Sequence, residues 1–350
     1  MSRTEKNDRN CGEAPTSRRN FLKMLSGAAV SSLFLGSTCE EEGPGNPNPN
    51  PNPTPAALGP RTGLANPFVT GDGRPKLVCV EGKDFKRMLQ TGLDSIGGLN
   101  ALIDNHQDVL IKPNLFEASQ YPWISSMDSI VEIIRAVKLV SSGEISVGDM
   151  SWEATPTVYN HVGFENLVNN AGGQPRLFTD TYKVRRNTWD TEKKDIEVYA
   201  DVYDAPVLIS TCVLKRHSLA KMTCAVKCNV GTIKGSNMSA SRKTMHDAPD
   251  FLSELAEVAG LSNPDLNIVD ARSIVTVEGP CYQQGGTVVD TNKVIICGDL
   301  VATDAYCAEL LADHDDGFHP DRIRLTLTRA EQLGLGTSDL SRVEITEIML

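Results

Sequence analysis

Seven basic side chains fall between Ala205 and His246, and no Asp or Glu falls among them. They are Lys215, Arg216, Lys221, Lys227, Lys234, Arg242 and Lys243. The chain holds 45 acidic residues in 350, so a window of this length should carry roughly five. Cationic groups gathered in one segment of an acidic chain are suited to receive an anion. His217 lies among them and has three roles open to it: general acid or base, metal ligand, or loop histidine held by hydrogen bonds. Cys224 and Cys228 are one helical turn apart. With His217 they make either a soft-metal site or two small buried apolar residues. Gly231 and Gly235 permit close backbone approach around Lys234.

The elements that must position these groups alternate between strand and helix. Strands are expected at Lys76–Val80, Asp108–Ile111, Glu144–Val147, Val207–Val213, Leu266–Val269, Val294–Cys297 and Val343–Ile348. Helices are expected at Asp84–Asp104 (interrupted at Gly97-Gly98), Ser126–Val140, Thr157–Asn170, Ala248–Leu261, Leu300–Ala312 and His319–Leu333. Between Gly173 and Asp204 short strands flank a polar insertion, Thr181–Asp195. A helical turn over Met222–Val230 would aim amides near Ala220–Thr223 at the strand end. The pattern predicts an α/β fold, a mainly parallel sheet with flanking helices, in one domain or two intimately joined lobes.

Ligands of such sheets bind beyond the carboxyl ends of the strands. The residues that follow the expected strands are Lys112 and Asn114, Asp149, Lys215 and His217, Asp270, and Asp299. Lys112-Pro113-Asn114 is either a ligand contact or an ordinary strand-ending turn, because Pro fixes its geometry in both cases. Asp149 is either a metal or hydroxyl ligand or the cap of the next turn. Together, Lys, Asp and His groups on one edge would give anion recognition with acid–base or metal-binding capacity. Lys112, Asp149, Lys215 and Asp270 are expected to approach one cleft.

Several motifs occur in a fixed order: Val109-Leu110-Ile111-Lys112-Pro113-Asn114, Gly148-Asp149, Lys215-Arg216-His217 with Ala225-Val226-Lys227-Cys228-Asn229, Ile268-Val269-Asp270-Ala271, Glu278-Gly279-Pro280 and Ala302-Thr303-Asp304-Ala305. In these the chain, from about Lys76 onward, resembles the bacterial and archaeal family known as domain of unknown function family 362. The resemblance implies a site made of Lys112, Asn114, Asp149, Lys215, His217, Lys227, Asn229, Lys234, Asp270, Glu278 and Asp304. In that site His217, Asp149 and Asp270 are the expected catalytic groups and the others the ligand-binding ones. Relatives fused to ferredoxin-like modules imply redox work, but this chain has none of those cysteine runs. An iron–sulfur cluster is therefore not expected, while a divalent metal stays open.

The ends of the chain are not core. Arg18-Arg19 precede Phe21-Leu22-Lys23 and a weakly apolar run of small residues from Met24 to Leu35. This is a twin-arginine export pattern over residues 1–39, and its apolar run of 12 residues is too short to span a bilayer. Residues 40–60 form a Pro/Asn-rich tether, and 61–350 the α/β domain. Cys39 follows small residues, which leaves open a lipid-anchored protein or a soluble exported one. The expected location is periplasmic or otherwise extracytoplasmic, with the export machinery as a partner. The formal charge is −11, which argues against nucleic acid. The first functional expectation is an enzyme acting on an anionic small molecule in a Lys/His/Asp-lined cleft, with metal assistance open. A non-catalytic binder of anionic solutes at the cell surface is the second, and a thiol redox protein the third.

Overall fold

Short apolar runs become strands, and the amphipathic segments between them become the helices that cover the sheet. The computed structural model describes residues 57–186, 195–235, 245, 248–277 and 285–350. Contacts group Pro55–Leu350 as one unit. The two-lobe arrangement is not shown. In chain order the strands are β1 (Lys76–Glu81), β2 (Val109–Lys112), β3 (Ile145–Val147), β4 (Gln174–Pro175), β5 (Thr181–Val184), β6 (Ile196–Tyr199), β7 (Val207–His217), β8 (Lys221–Thr223), β9 (Leu266–Thr276), β10 (Thr287–Cys297) and β11 (Glu344–Met349). The main sheet runs β11-β1-β10-β9-β7-β2-β3-β4, with β8 paired to β7. It is mixed but mostly parallel, because β10 is antiparallel to both its neighbours while β9, β7, β2, β3 and β4 run together.

The helices are α1 (Phe85–Ile96), α2 (Met127–Lys138), α3 (Thr155–Val162), α4 (Phe164–Ala171), α5 (Ala200–Tyr203), α6 (Ala225–Cys228), α7 (Phe251–Ser262), α8 (Leu300–Ala312) and α9 (Arg324–Gln332). In α2, Ile130, Ile133, Ile134 and Val137 recur at helical spacing and are all buried, each contributing roughly 1.5–3 kcal/mol. Ser126 caps that helix by accepting from Ser129 N. The single helix expected over Thr157–Asn170 is two, because Gly163 at φ 64° ends α3 and starts α4.

Core side chains divide by face. Ile111, Ile209 and Ile268 pack with residues of α1 and α2 on one side. Cys212, Val269 and Ala271 pack with α6, α7 and α8 on the other. Two strands also outrun the apolar pattern that predicted them. Lys112, the last residue of β2, pairs with Ser210, yet β7 continues to His217, and β9 continues to Thr276 beside it. Loop 113–126 lies along this overhang, tied by Ser125 Oγ to Thr211 O at 3.1 Å.

Candidate functional site

Adjacent strand ends carry the first pair. Lys112 closes β2, Asp149 follows β3, and Ile111 pairs with Val147 between them. Lys112 Nζ meets Asp149 Oδ1 at 2.8 Å with both side chains almost fully buried. Lys112 Nζ also donates to Pro113 O at 3.0 Å and to Cys228 Sγ at 3.4 Å. Burial pushes the ammonium pKa down, but the Asp149 charge and the Cys228 sulfur outweigh it and hold it above the ordinary lysine value. The second Asp149 oxygen accepts from Leu115 N at 2.7 Å. Tyr159 donates to Arg176 O and receives Asp149 N, each at 2.9 Å. Gly231 closes over the pair: a Cβ there would lie 2.0 Å from Asp149 Oδ1.

By fixing Leu115, the pair also fixes the next residue, Phe116. This half-buried ring is where the basic window converges. Lys215 Nζ, from buried β7, lies 4.1 Å from its centroid and donates to Trp123 O at 2.7 Å. Lys227 Nζ, from α6, lies 6.0 Å from the same centroid. Both are within cation–π range. His217 is two residues beyond Lys215, and the regular β7–β8 pairing puts both on one face of β7. Its Nδ1 accepts from Leu219 N at 3.2 Å and Ala220 N at 3.1 Å. The neutral ring therefore carries its proton on Nε2.

Asp270 belongs to a different cluster. It sits within β9, level with Val213. Counting along β7 from Ser210 puts it on the sheet face opposite Lys112. It is fully buried and accepts from Tyr121 Oη at 3.0 Å, Ser126 Oγ at 2.7 Å and Arg272 Nε at 2.9 Å. Arg272 reaches on to Asp128 with Nη1 at 2.8 Å and Nη2 at 3.0 Å. Burial works against the guanidinium charge, but the two carboxylates more than offset it and raise its pKa. Burial and the Asp270 charge also raise the Tyr121 phenol, which keeps its proton. Arg272, Asp128, Tyr121 and Ser126 line an open groove of about 860 Å³. Lys112, Asp149, Lys215 and Asp270 do not line it.

The four residues expected in one cleft are thus not in one. The reason is strand parity: Lys112 and Asp270 come from neighbouring stretches of sheet but from opposite pleats. Asp299 is corrected for a related reason. Because β10 is antiparallel, with Cys297 beside Leu77 and Asn267, Asp299 lies at the other edge. There it caps α8 through Val301 N and Ala302 N.

Other expected residues are placed as follows. Asn229 is fully buried, donating to Ala225 O and accepting from Ser262 Oγ, both at 2.9 Å. Lys234 is exposed and pairs with Glu197 at 2.8 Å. Asp304, on α8, accepts from Val226 N at 3.2 Å. Burial, and then the Cys224 sulfur, push its carboxyl well above the usual range. Asn114 is buried beside Ser125, which binds its backbone. Glu278, Arg242 and Lys243 lie outside the described residues. Arg216 pairs with Asp315 at 2.7 Å. Carboxylates from elsewhere in the chain thus partner Arg216 and Lys234, which sequence proximity alone did not reveal.

Two local expectations are corrected. Lys221–Thr223 is a strand hairpinned on β7, and the helix after it, Ala225–Cys228, is a single turn, so Ala220–Thr223 offers no helix N-terminus. Cys224 and Cys228 also face different partners. Cys228 is beside Lys112, whereas Cys224 is hydrogen-bonded to Cys212, Cys307 and Asp304. Burial raises the Cys224 thiol, but those bonds outweigh it and lower it. Among the described residues no group of three His, Cys, Asp or Glu side chains is placed to hold a metal ion, and the six described cysteines are free and buried. Arg272, Asp128, Tyr121 and Phe116 were missed. The Asp-x-Arg spacing of Asp270 and Arg272, which puts both on one face of a strand, was the available signal for Arg272.

The model of the family described as "Domain of unknown function (DUF362)" matches residues 109–309. That span is more than half of the chain and contains every strand-end group above. The chain belongs to the DUF362 family. A search of curated proteins gave no match. Among solved structures, the DUF362 chain is similar to the lactate racemase apoprotein from Thermoanaerobacterium thermosaccharolyticum, at 12% identity and a TM-score of 0.43. The likeness covers 73% of this chain and 60% of that one.

Proposed function

We propose that this DUF362 protein is an enzyme that takes an anionic small molecule beside Phe116, between the ammonium groups of Lys215 and Lys227. One observation carries the reading: two cations from separate elements, β7 and α6, approach a single half-buried ring. Ammonium groups set beside one ring offer charged donors to a single anion. The Lys112–Asp149 pair is a positioning device, holding the backbone of Leu115 and so the ring. His217 supplies the proton-transfer group. It shares the Lys215 face of β7, its backbone roughly 7 Å further along the strand.

Incubating the purified protein with a mixture of small carboxylates and phosphate esters, followed by NMR, separates enzyme from binder. Consumption of one component that stops in His217→Ala supports the enzyme. Tight binding with every component unchanged sinks it and leaves the solute-binding reading.

We further propose export by the twin-arginine route, motivated by Arg18-Arg19 and the apolar run to Leu35. Replacing both arginines by Lys should hold the protein in the cytoplasm. Unchanged fractionation would remove the proposal. Labelling with a radioactive fatty acid, lost in Cys39→Ala, tests the lipid anchor.

A further inference from the structure

We infer that the groove on the α2 side of the sheet is a second ligand site, built for a neutral polyhydroxylated molecule of mono- or disaccharide size. It is separate from the anion site, since neither Lys215, Lys227 nor Phe116 lines it.

Charge excludes the simpler occupants. Arg272, the most central cation of the groove, is committed on both sides, to Asp270 through Nε and Nη2 and to Asp128 through Nη1 and Nη2. Lys83 and Asp290 also line the groove. The lining thus holds two cations, Lys83 and Arg272, against two carboxylates, Asp128 and Asp290, with Asp270 bonded behind Arg272, so a simple anion meets no excess of positive charge.

The remaining lining groups are those that suit hydroxyls. Ser119 lines the groove but is only 6% exposed, and its buried Oγ has no hydrogen-bond partner among the described residues, so a ligand hydroxyl that reached it would satisfy it. Asn292 and Gln120 add amides that both donate and accept. One oxygen of Asp290 is held by Ser273 Oγ at 2.7 Å, and the other remains to accept.

The backbone is also shaped for this purpose. The β9–β10 ladder shifts register between Asp290 and Lys293, and Asn292 there has φ 54°. A bulge re-aims the side chains it carries, and Asp290 and Asn292, at this one, both line the groove. The volume, about 860 Å³, is within the range of small-molecule sites.

Ligand-observed NMR on the full chain, with glucose, galactose, N-acetylglucosamine and sucrose as probes, tests the assignment. At least one sugar should bind. Ser119→Ala and Asn292→Gly should each weaken it about fivefold or more; Gly keeps the positive φ, so the fold is retained. Lys227→Met should leave sugar binding unchanged. Binding of none of the four overturns the proposal, as does binding that survives both groove variants or is lost in Lys227→Met. Competition by inorganic phosphate that disappears in Lys83→Ala would make the groove an anion site and also overturn it.

Discussion

Lys112 and Asp149 form a buried ion pair at 2.8 Å that joins the ends of two neighbouring strands. The sequence makes Lys112 an expected ligand-binding group and Asp149 an expected catalytic one. The pair instead braces the site from behind, since each charge answers the other and the second Asp149 oxygen holds Leu115 N.

Breaking this pair should be costly. Asp149→Ala leaves a buried ammonium without its carboxylate and should destabilise by roughly 3–5 kcal/mol in urea denaturation. Gly231→Ala should destabilise too, because its methyl would overlap Asp149 Oδ1. Lys112 has a raised pKa, so the stabilisation is fully present below the unfolded lysine value and is lost only as pH rises through the higher folded one. Stability near neutral pH should therefore not vary on account of this pair.

The Arg272 clamp should respond to acid. Burial raises the Asp128 carboxyl, but bonds from Arg272 and Ser126 outweigh that and bring it below its ordinary value of 3.8. A depressed carboxylate contributes stability above its unfolded pKa and loses it as pH falls through the folded one. The stability difference between the natural chain and Asp128→Asn should be constant above about pH 5 and vanish at strongly acid pH. A difference that grows on acidification would contradict the assignment.

Asn229 separates a packing role from a ligand role. Its amide ties α6 to α7 through Ala225 O and Ser262 Oγ. Asn229→Ala should cost about 1–3 kcal/mol of stability and leave the affinity of the folded protein for anions unchanged. Weaker anion binding at full folding would restore it to the ligand set.

The order of elements was readable because apolar spacing dictates it: α2 and α8 sit close to where their patterns put them. What apolar spacing could not reveal is where strands continue through polar residues. β9 runs on through Asp270, Arg272 and Ser273, and β7 through Lys215 and Arg216, because their partners are loop 113–126 and Asp315 rather than apolar core. That continuation decides the pleat, and the pleat sends Asp270 away from Lys112. The convergence of Lys215 and Lys227 was legible as charge, but the Phe116 ring that organises it was not. Phe116 is a single aromatic in a loop, positioned by the Leu115–Asp149 bond and by Trp152 N donating to its own carbonyl at 2.7 Å.

The central claim is that an anion is held at Phe116 by Lys215 and Lys227. Isothermal titration of the natural chain and of Lys227→Met with inorganic phosphate and with citrate tests it most directly. Removing one charged hydrogen bond, about 1.5–3 kcal/mol, should weaken the binding of at least one of these anions by about tenfold or more, with melting temperature unchanged in the absence of ligand. Equal affinity in the two proteins, or no binding of either anion by the natural chain, would contradict the account.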